Sequence, residues 1–278
     1  TAEAAQRALA HVPNVRAVMP VAPFGAPVNV APWEEFSKRT GVPVLIDAAA
    51  AFAGQHAGDV PVVISLHATK ILGAGEGGAV LTRNKELIED VTRRLNFGFY
   101  GVRSASVAGI NGKLSEYSAA VGLASLDAWP KTRIAWSQLL ARYERALDAR
   151  GISRTRPLNS GLTSTLVFGF PGDAKRLASL LGEAGIATLR WYSDACHAEP
   201  AFRDCTREAL PVTENLVSSC LGLPFYLDLE DQAIDQIANT LAAIQDCSSE
   251  QNGRVSASLH SLYRSLESAE SPSVRSHP

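Results

Sequence analysis

Cysteine is scarce and scattered: there are four, Cys196, Cys205, Cys220 and Cys247, all in the C-terminal half, with no C-x-x-C pair and no alternation with histidine. Neither a disulfide framework nor a zinc site is signalled. The six histidines are equally dispersed and no H-E-x-x-H occurs, which removes that metalloprotease pattern. Charge of neither sign prevails, with 26 Lys+Arg against 28 Asp+Glu and a formal net charge of -2. A nucleic acid or an anionic membrane is therefore a disfavoured partner. Every apolar stretch is cut by Asp, Lys, Arg, Pro or Gly before the roughly 18 to 20 residues that a membrane-spanning helix needs. The chain opens Thr1-Ala2-Glu3-Ala4, without an initiator Met or the basic-then-apolar start of a secretory signal. We read it as entered in mid-sequence, and the reduced thiols point to the cytoplasm.

What the 278 residues do contain, 46% of them hydrophobic and 19% charged, is the make-up of one large or two smaller globular units. Helices are expected over 3–10, 32–39 and 85–95, and strands over 15–22, 42–46, 60–66 and 78–82. The runs Val42-Pro-Val-Leu-Ile46 and Val60-Pro-Val-Val-Ile-Ser-Leu66 are continuously apolar, as strands covered on both faces are. Their alternation with helices argues for a doubly wound α/β sheet. Two helices, over 115–126 and from Pro130 to about 149, then lead into a smaller α+β unit. It has strands near 163–170 and 186–190 and helices near 173–184 and 229–244. This gives a sheet domain at 1–128, an inter-domain helix with a small α+β domain at 129–247, and a serine-rich tail at 248–278 expected to be disordered. Within that tail, Leu259, Leu262, Tyr263 and Leu266 could form a weak amphipathic turn.

Asp47 follows an apolar strand directly, at the carboxyl end where open α/β sheets place ligands. Its plainer reading is a helix N-cap for the run Ala48-Ala-Ala-Ala51. The next strand ends in Ser65-Leu-His-Ala-Thr-Lys70 and is followed by Gly73-Ala-Gly-Glu-Gly-Gly78. Lys70, between apolar residues and glycines, is a candidate for nucleophilic amine chemistry, with Ser65 and Thr69 as hydrogen-bond donors to an anion. The glycines match G-x-G-x-x-G in letters only, because they lead into a strand and not a helix. His67 could be an acid or base; a packed core histidine is the plainer reading. Asn111 and Ser115 are both N-cap candidates for the helix after them.

Taken together, Ile46-Asp47-Ala-Ala, Ser65-Leu-His-Ala-Thr-Lys70 with Gly75-Glu-Gly-Gly78, and Gly109-Ile-Asn-Gly-Lys-Leu-Ser-Glu116 with Ala119-Ala-Val-Gly-Leu123 resemble the DegT/DnrJ/StrS family of sugar aminotransferases dependent on pyridoxal 5'-phosphate (PLP). The resemblance continues through Leu189-Arg-Trp-Tyr192, His197 and Leu223-Pro-Phe225. It implies a PLP-dependent, aspartate-aminotransferase-like (fold type I) mixed-sheet domain with a smaller C-terminal α+β domain. Lys70 matches the lysine that forms the internal aldimine and shuttles protons. Asp47 matches the acid paired with the pyridine nitrogen, and Ser65 a serine bonded to the cofactor phosphate. Asn111 matches an asparagine reaching that phosphate from the second subunit of a homodimer. The implied reaction moves an amino group from glutamate to a nucleotide-linked keto sugar in amino-sugar or polysaccharide biosynthesis.

Three departures qualify that expectation. Ala50 stands where the family usually has a Gln or His bonded to the PLP phenolic oxygen, a loss of about 0.5 to 1.5 kcal/mol if nothing replaces it. Ala53 separates Phe52 from Gly54. Family members also carry a longer segment ahead of the strand near Val15, so exposed apolar surface is expected here. The rival reading is a truncated, non-catalytic scaffold of the same fold. A nicotinamide oxidoreductase rests only on the glycine match.

Overall fold

The computed structural model describes residues 1–159, 161–190 and 195–250. Its helices are α1 (Ala2–Ala8), α2 (Ala31–Thr40), α3 (Lys85–Leu95), α4 (Glu116–Asp148), α5 (Ala174–Glu183), α6 (Pro211–Ser219) and α7 (Asp231–Glu250). The strands are β1 (Ile46–Asp47), β2 (Val62–Ser65), β3 (Gly78–Leu81), β4 (Leu166–Gly169) and β5 (Cys220–Leu223). The fold is mixed α/β, with a three-stranded sheet ordered β1-β2-β3 and a two-stranded sheet of β4 and β5. The chain groups into two compact units, Thr1–Leu139 with Leu158–Val167 and Ala201–Leu210, and Leu140–Pro157 with Phe168–Pro200 and Pro211 onward. The expected tail falls outside the described residues beyond Glu250, including Leu259, Leu262, Tyr263 and Leu266.

In the first unit β1 and β2 are parallel and β2 and β3 antiparallel, with Ile46 opposite Val62 and Ser65 opposite Gly78. The antiparallel β3 corrects the doubly wound expectation to a mixed sheet. The expected strand over 15–22 is reduced to bridges from Val18 to Val44 and from Val21 to Asp47. Pro20 and Pro43 each remove a backbone donor there, which breaks the ladder. Ile46, Val62 and Ile64 are buried and pack with Val44, Trp33 and Phe36. Helix α2 begins with proline in its first turn and ends at Gly41, whose left-handed φ of 69° lets its N–H reach Ser37 O. Its Trp33 and Phe36 rings meet edge to face at 5.9 Å. Helix α3 is capped by Asn84, whose side chain accepts the Leu87 N–H at 3.1 Å.

Two helices were expected over 115–149, but α4 is a single helix running through Pro130. Ser115 caps it by accepting the Ser118 N–H at 3.0 Å, whereas Asn111 lies opposite Asn96 in an isolated bridge.

In the second unit the C-terminal part of α4 is tied to the chain around α7. Tyr143 is fully buried, donates its hydroxyl to Pro224 O and stacks at a tilt on Phe225, 6.0 Å away. Arg142 pairs with Asp231 at 2.7 Å and Arg150 with Asp235 at 2.8 Å. Asp173 caps α5 through the Lys175 N–H at 2.7 Å. The buried stripe Ile234, Ile237, Ala238, Leu241 and Ile244 has the spacing of one helix face. The expected strand over 186–190 is only a bridge from Leu189 to Gly222, and α6 with β5 occupies a stretch for which no element was expected.

Candidate active site

Burial alternates along β1 and β2: Ile46, Ala48, Val62 and Ile64 are buried, while Asp47, Val63 and Ser65 are half-buried. Residues in parallel register share a face and alternate residues return to it. Asp47 is in register with Val63, and Ser65 is two residues further on. Asp47 and Ser65 therefore stand on one face at the carboxyl ends of neighbouring parallel strands. Lys70 lies five residues beyond Ser65 in the connection to β3, half-buried and followed by the buried Ile71 and Leu72.

Asp47 caps no helix. Its Oδ1 accepts the Ala49 N–H at 3.0 Å, and the alanine run closes into turns through Ala51 N–H to Ala48 O at 2.9 Å and Gln55 N–H to Ala51 O at 3.0 Å. That bond engages one oxygen of the carboxylate. Ala50 brings no polar side chain to this end of the sheet. The buried Gln55 is committed elsewhere, since it accepts the Val28 N–H at 2.9 Å and donates to Val28 O at 3.0 Å. Phe52 packs edge to face on Trp129, with ring centroids 5.0 Å apart.

The connection from β2 to β3 is closely bonded. Leu66 N–H reaches Gly77 O at 2.9 Å, Ala68 N–H reaches Gly75 O at 2.8 Å, and Lys70 N–H reaches His67 O at 2.9 Å. Ser164 donates to Thr69 O at 2.6 Å and Ser125 to Gly73 O at 2.9 Å. Gly77 has a φ of 137°, a region that essentially only glycine enters. The glycines lead into β3 and not into a helix. His67 is not a core residue: its side chain is 45% exposed, with Nε2 3.6 Å from Glu76 Oε1 and Nδ1 2.9 Å from Thr69 Oγ1.

The structure thus brings Asp47, Ser65 and the Lys70 connection to one sheet edge. Asn111 is exposed on the segment between α3 and α4, and among the described residues no hydrogen bond joins it to Asp47, Ser65 or Lys70. Nearby, Lys113 donates to Asn96 Oδ1 at 2.9 Å and its Nζ lies 4.5 Å from the Phe97 ring centroid. Sequence reasoning gave neither contact, because both depend on the close approach of two loops. Val102, Ile110 and Tyr117 are 67%, 65% and 80% exposed. In the second unit His197 Nε2 lies 3.8 Å from Glu214 Oε1, and Trp191 and Tyr192 fall outside the described residues.

An acid and a hydroxyl thus stand at the carboxyl ends of two neighbouring strands of a mixed sheet, with a lysine in the connection that follows. The chain belongs to the DegT/DnrJ/EryC1/StrS aminotransferase family, which it matches over residues 2–242. It is 28% identical over 234 residues to Protein Rv3402c of Mycobacterium tuberculosis, a match covering 78% of this chain and 55% of that protein. It is 32% identical to the dTDP-3-amino-3,4,6-trideoxy-alpha-D-glucose transaminase of Streptomyces venezuelae, covering 78% and 60%. The chain therefore spans little more than half the length of these relatives. Among solved structures, DesI in the presence of its TDP-sugar product superimposes with a TM-score of 0.75 at 28% identity, covering 90% of this chain and 68% of that one. S. venezuelae DesV in complex with a ketimine intermediate gives a TM-score of 0.75 at 27% identity, covering 87% and 68%. Among the described residues no helix is long and apolar enough to cross a membrane.

Proposed function

We propose that this chain carries the cofactor-binding edge of a PLP-dependent transaminase that moves an amino group from glutamate to a nucleotide-linked keto sugar, in amino-sugar or polysaccharide biosynthesis. The observation that carries this reading is the shared face of Asp47 and Ser65 with Lys70 in the connection that follows. The donor set fits the cofactor: a carboxylate for a protonated ring nitrogen, a hydroxyl for a phosphate and an amine for an aldehyde. When bound, PLP supplies an electron sink for the substrate carbon.

The residues divide the work by their chemistry. Asp47 holds a proton on the ring nitrogen while its Oδ1 bond to Ala49 N–H fixes the carboxylate's orientation. Ser65 Oγ accepts the His67 N–H at 3.2 Å, which leaves its O–H to donate to the phosphate. Lys70 Nζ anchors the cofactor and moves the proton at the substrate's amino-bearing carbon. Ala50 supplies no bond to the phenolic oxygen, and Gln55 is not available to replace it.

A homodimer in which Asn111 serves the partner's site is supported by the exposure of Asn111 itself and of Val102, Ile110 and Tyr117 on the stretch of chain from the end of α3 into the start of α4. The four free cysteines accord with a reducing cytoplasm. The test is to supply the chain with PLP, glutamate and a dTDP-linked keto sugar and to measure 2-oxoglutarate formation. Turnover lost in Lys70→Ala supports the reading. A folded chain without cofactor uptake or turnover favours the scaffold.

A further inference from the structure

The turn that carries Lys70 is held by a side chain. Thr69, immediately before the lysine, donates its backbone N–H to His67 Nδ1 at 3.2 Å, and its carbonyl accepts from Ser164 Oγ at 2.6 Å. Both peptide groups of Thr69 are thus satisfied by side chains, and only the first of these partners lies within the connection itself.

Two groups of Thr69 face Nδ1: Oγ1 at 2.9 Å, which can donate or accept there, and the backbone N–H, which can only donate. A nitrogen that accepts a backbone N–H carries no proton, so the ring proton of neutral His67 sits on Nε2. That nitrogen faces Glu76 Oε1 at 3.6 Å, with the glutamate 84% exposed. The contact is longer than a hydrogen bond, yet a carboxylate there favours a proton on Nε2 over Nδ1. Ser65 Oγ accepts the His67 backbone N–H at 3.2 Å, which places the histidine between the end of β2 and the lysine.

We propose that His67 is a positioning residue for Lys70: as the Nε2–H tautomer it accepts the Thr69 N–H at Nδ1 and holds the turn in the form that presents the lysine. This rests on the reading that Lys70 carries the chemistry. The role belongs to the acceptor at Nδ1 and not to acid or base action at Nε2.

Three substitutions separate those roles. In His67→Asn the amide oxygen sits as many bonds from Cβ as Nδ1 does and can take the Thr69 N–H. In His67→Gln the acceptor lies one bond further out, nearer the place of Nε2, and His67→Ala has none. Hydrogen exchange at the Thr69 and Lys70 amides, followed by mass spectrometry on the whole chain without cofactor, is expected to quicken about fivefold to tenfold in the Ala and Gln variants. It should stay within about twofold of wild type in the Asn variant, whose Oδ1 keeps the Thr69 bond. The rate of borohydride-trapped PLP labelling at Lys70 should follow the same order. Unchanged exchange in His67→Ala, or an Asn variant that behaves like Ala, overturns the inference. Absence of Lys70 labelling in the wild type contradicts the assignment of Lys70 itself, and the exchange data, which need no PLP, tell that failure apart from this one.

Discussion

Asp47 and Ser65 lie on one face of the parallel β1–β2 pair, with Ser65 two residues past Val63, the register partner of Asp47. Two residues of strand rise put about 6.6 Å between their levels. Under the proposed function one ligand would span the two residues, with a basic ring atom at Asp47 and an anion at Ser65.

Asp47→Asn isolates the charge from the geometry. Asparagine caps turns as aspartate does, so the bond to Ala49 N–H is kept and the melting temperature should stay within a few degrees. Transamination should fall by about 100-fold or more in kcat, the scale of a lost proton-holding group. Steady-state kinetics beside a thermal melt checks both halves.

Tyr143 should be silent in an alkaline titration. Burial raises its phenol well above the usual tyrosine range, and Tyr226 adds to the shift. The folded state therefore holds the proton more tightly than the unfolded chain does. The stability from this group is complete below the unfolded value of about 10 and is lost as pH rises through and above it. Phenolate absorbance should show one tyrosine ionising only on unfolding. Tyr143→Phe should remove that feature and cost about 1 to 3 kcal/mol, because Pro224 O loses its donor.

Pro130→Ala should stabilise the protein, by up to about 3 kcal/mol, since proline inside a helix costs that much relative to alanine. Denaturant unfolding measures it, and a loss of stability would mean that the proline is required within α4.

The sheet edge was legible where side-chain pattern alone decides it. The apolar runs ending at Asp47 and Ser65 place both residues at strand ends, and Lys85–Leu95 is bounded as expected because Asn84 supplies a local cap. The alanine run misled: high helix propensity yields to the turn that Asp47 and Ala51 close. Pro130 reads as a helix start, yet Trp129 against Phe52 and the buried Trp136 and Leu139 hold the helix on either side of it. Helix α6 escaped notice because Ser219 is its single buried residue, leaving little apolar periodicity to read. His67 could not be placed from the sequence, since whether its ring turns back to Thr69, two residues on, and out to Glu76 depends on the fold of the connection.

The most direct test of the account is to incubate the purified chain with PLP, reduce it with borohydride and map the adduct by mass spectrometry. The account predicts a visible absorbance band on binding and a single adduct on Lys70, both lost in Lys70→Ala while the fold is retained. Labelling spread over surface lysines, or an adduct that persists in Lys70→Ala, would contradict it.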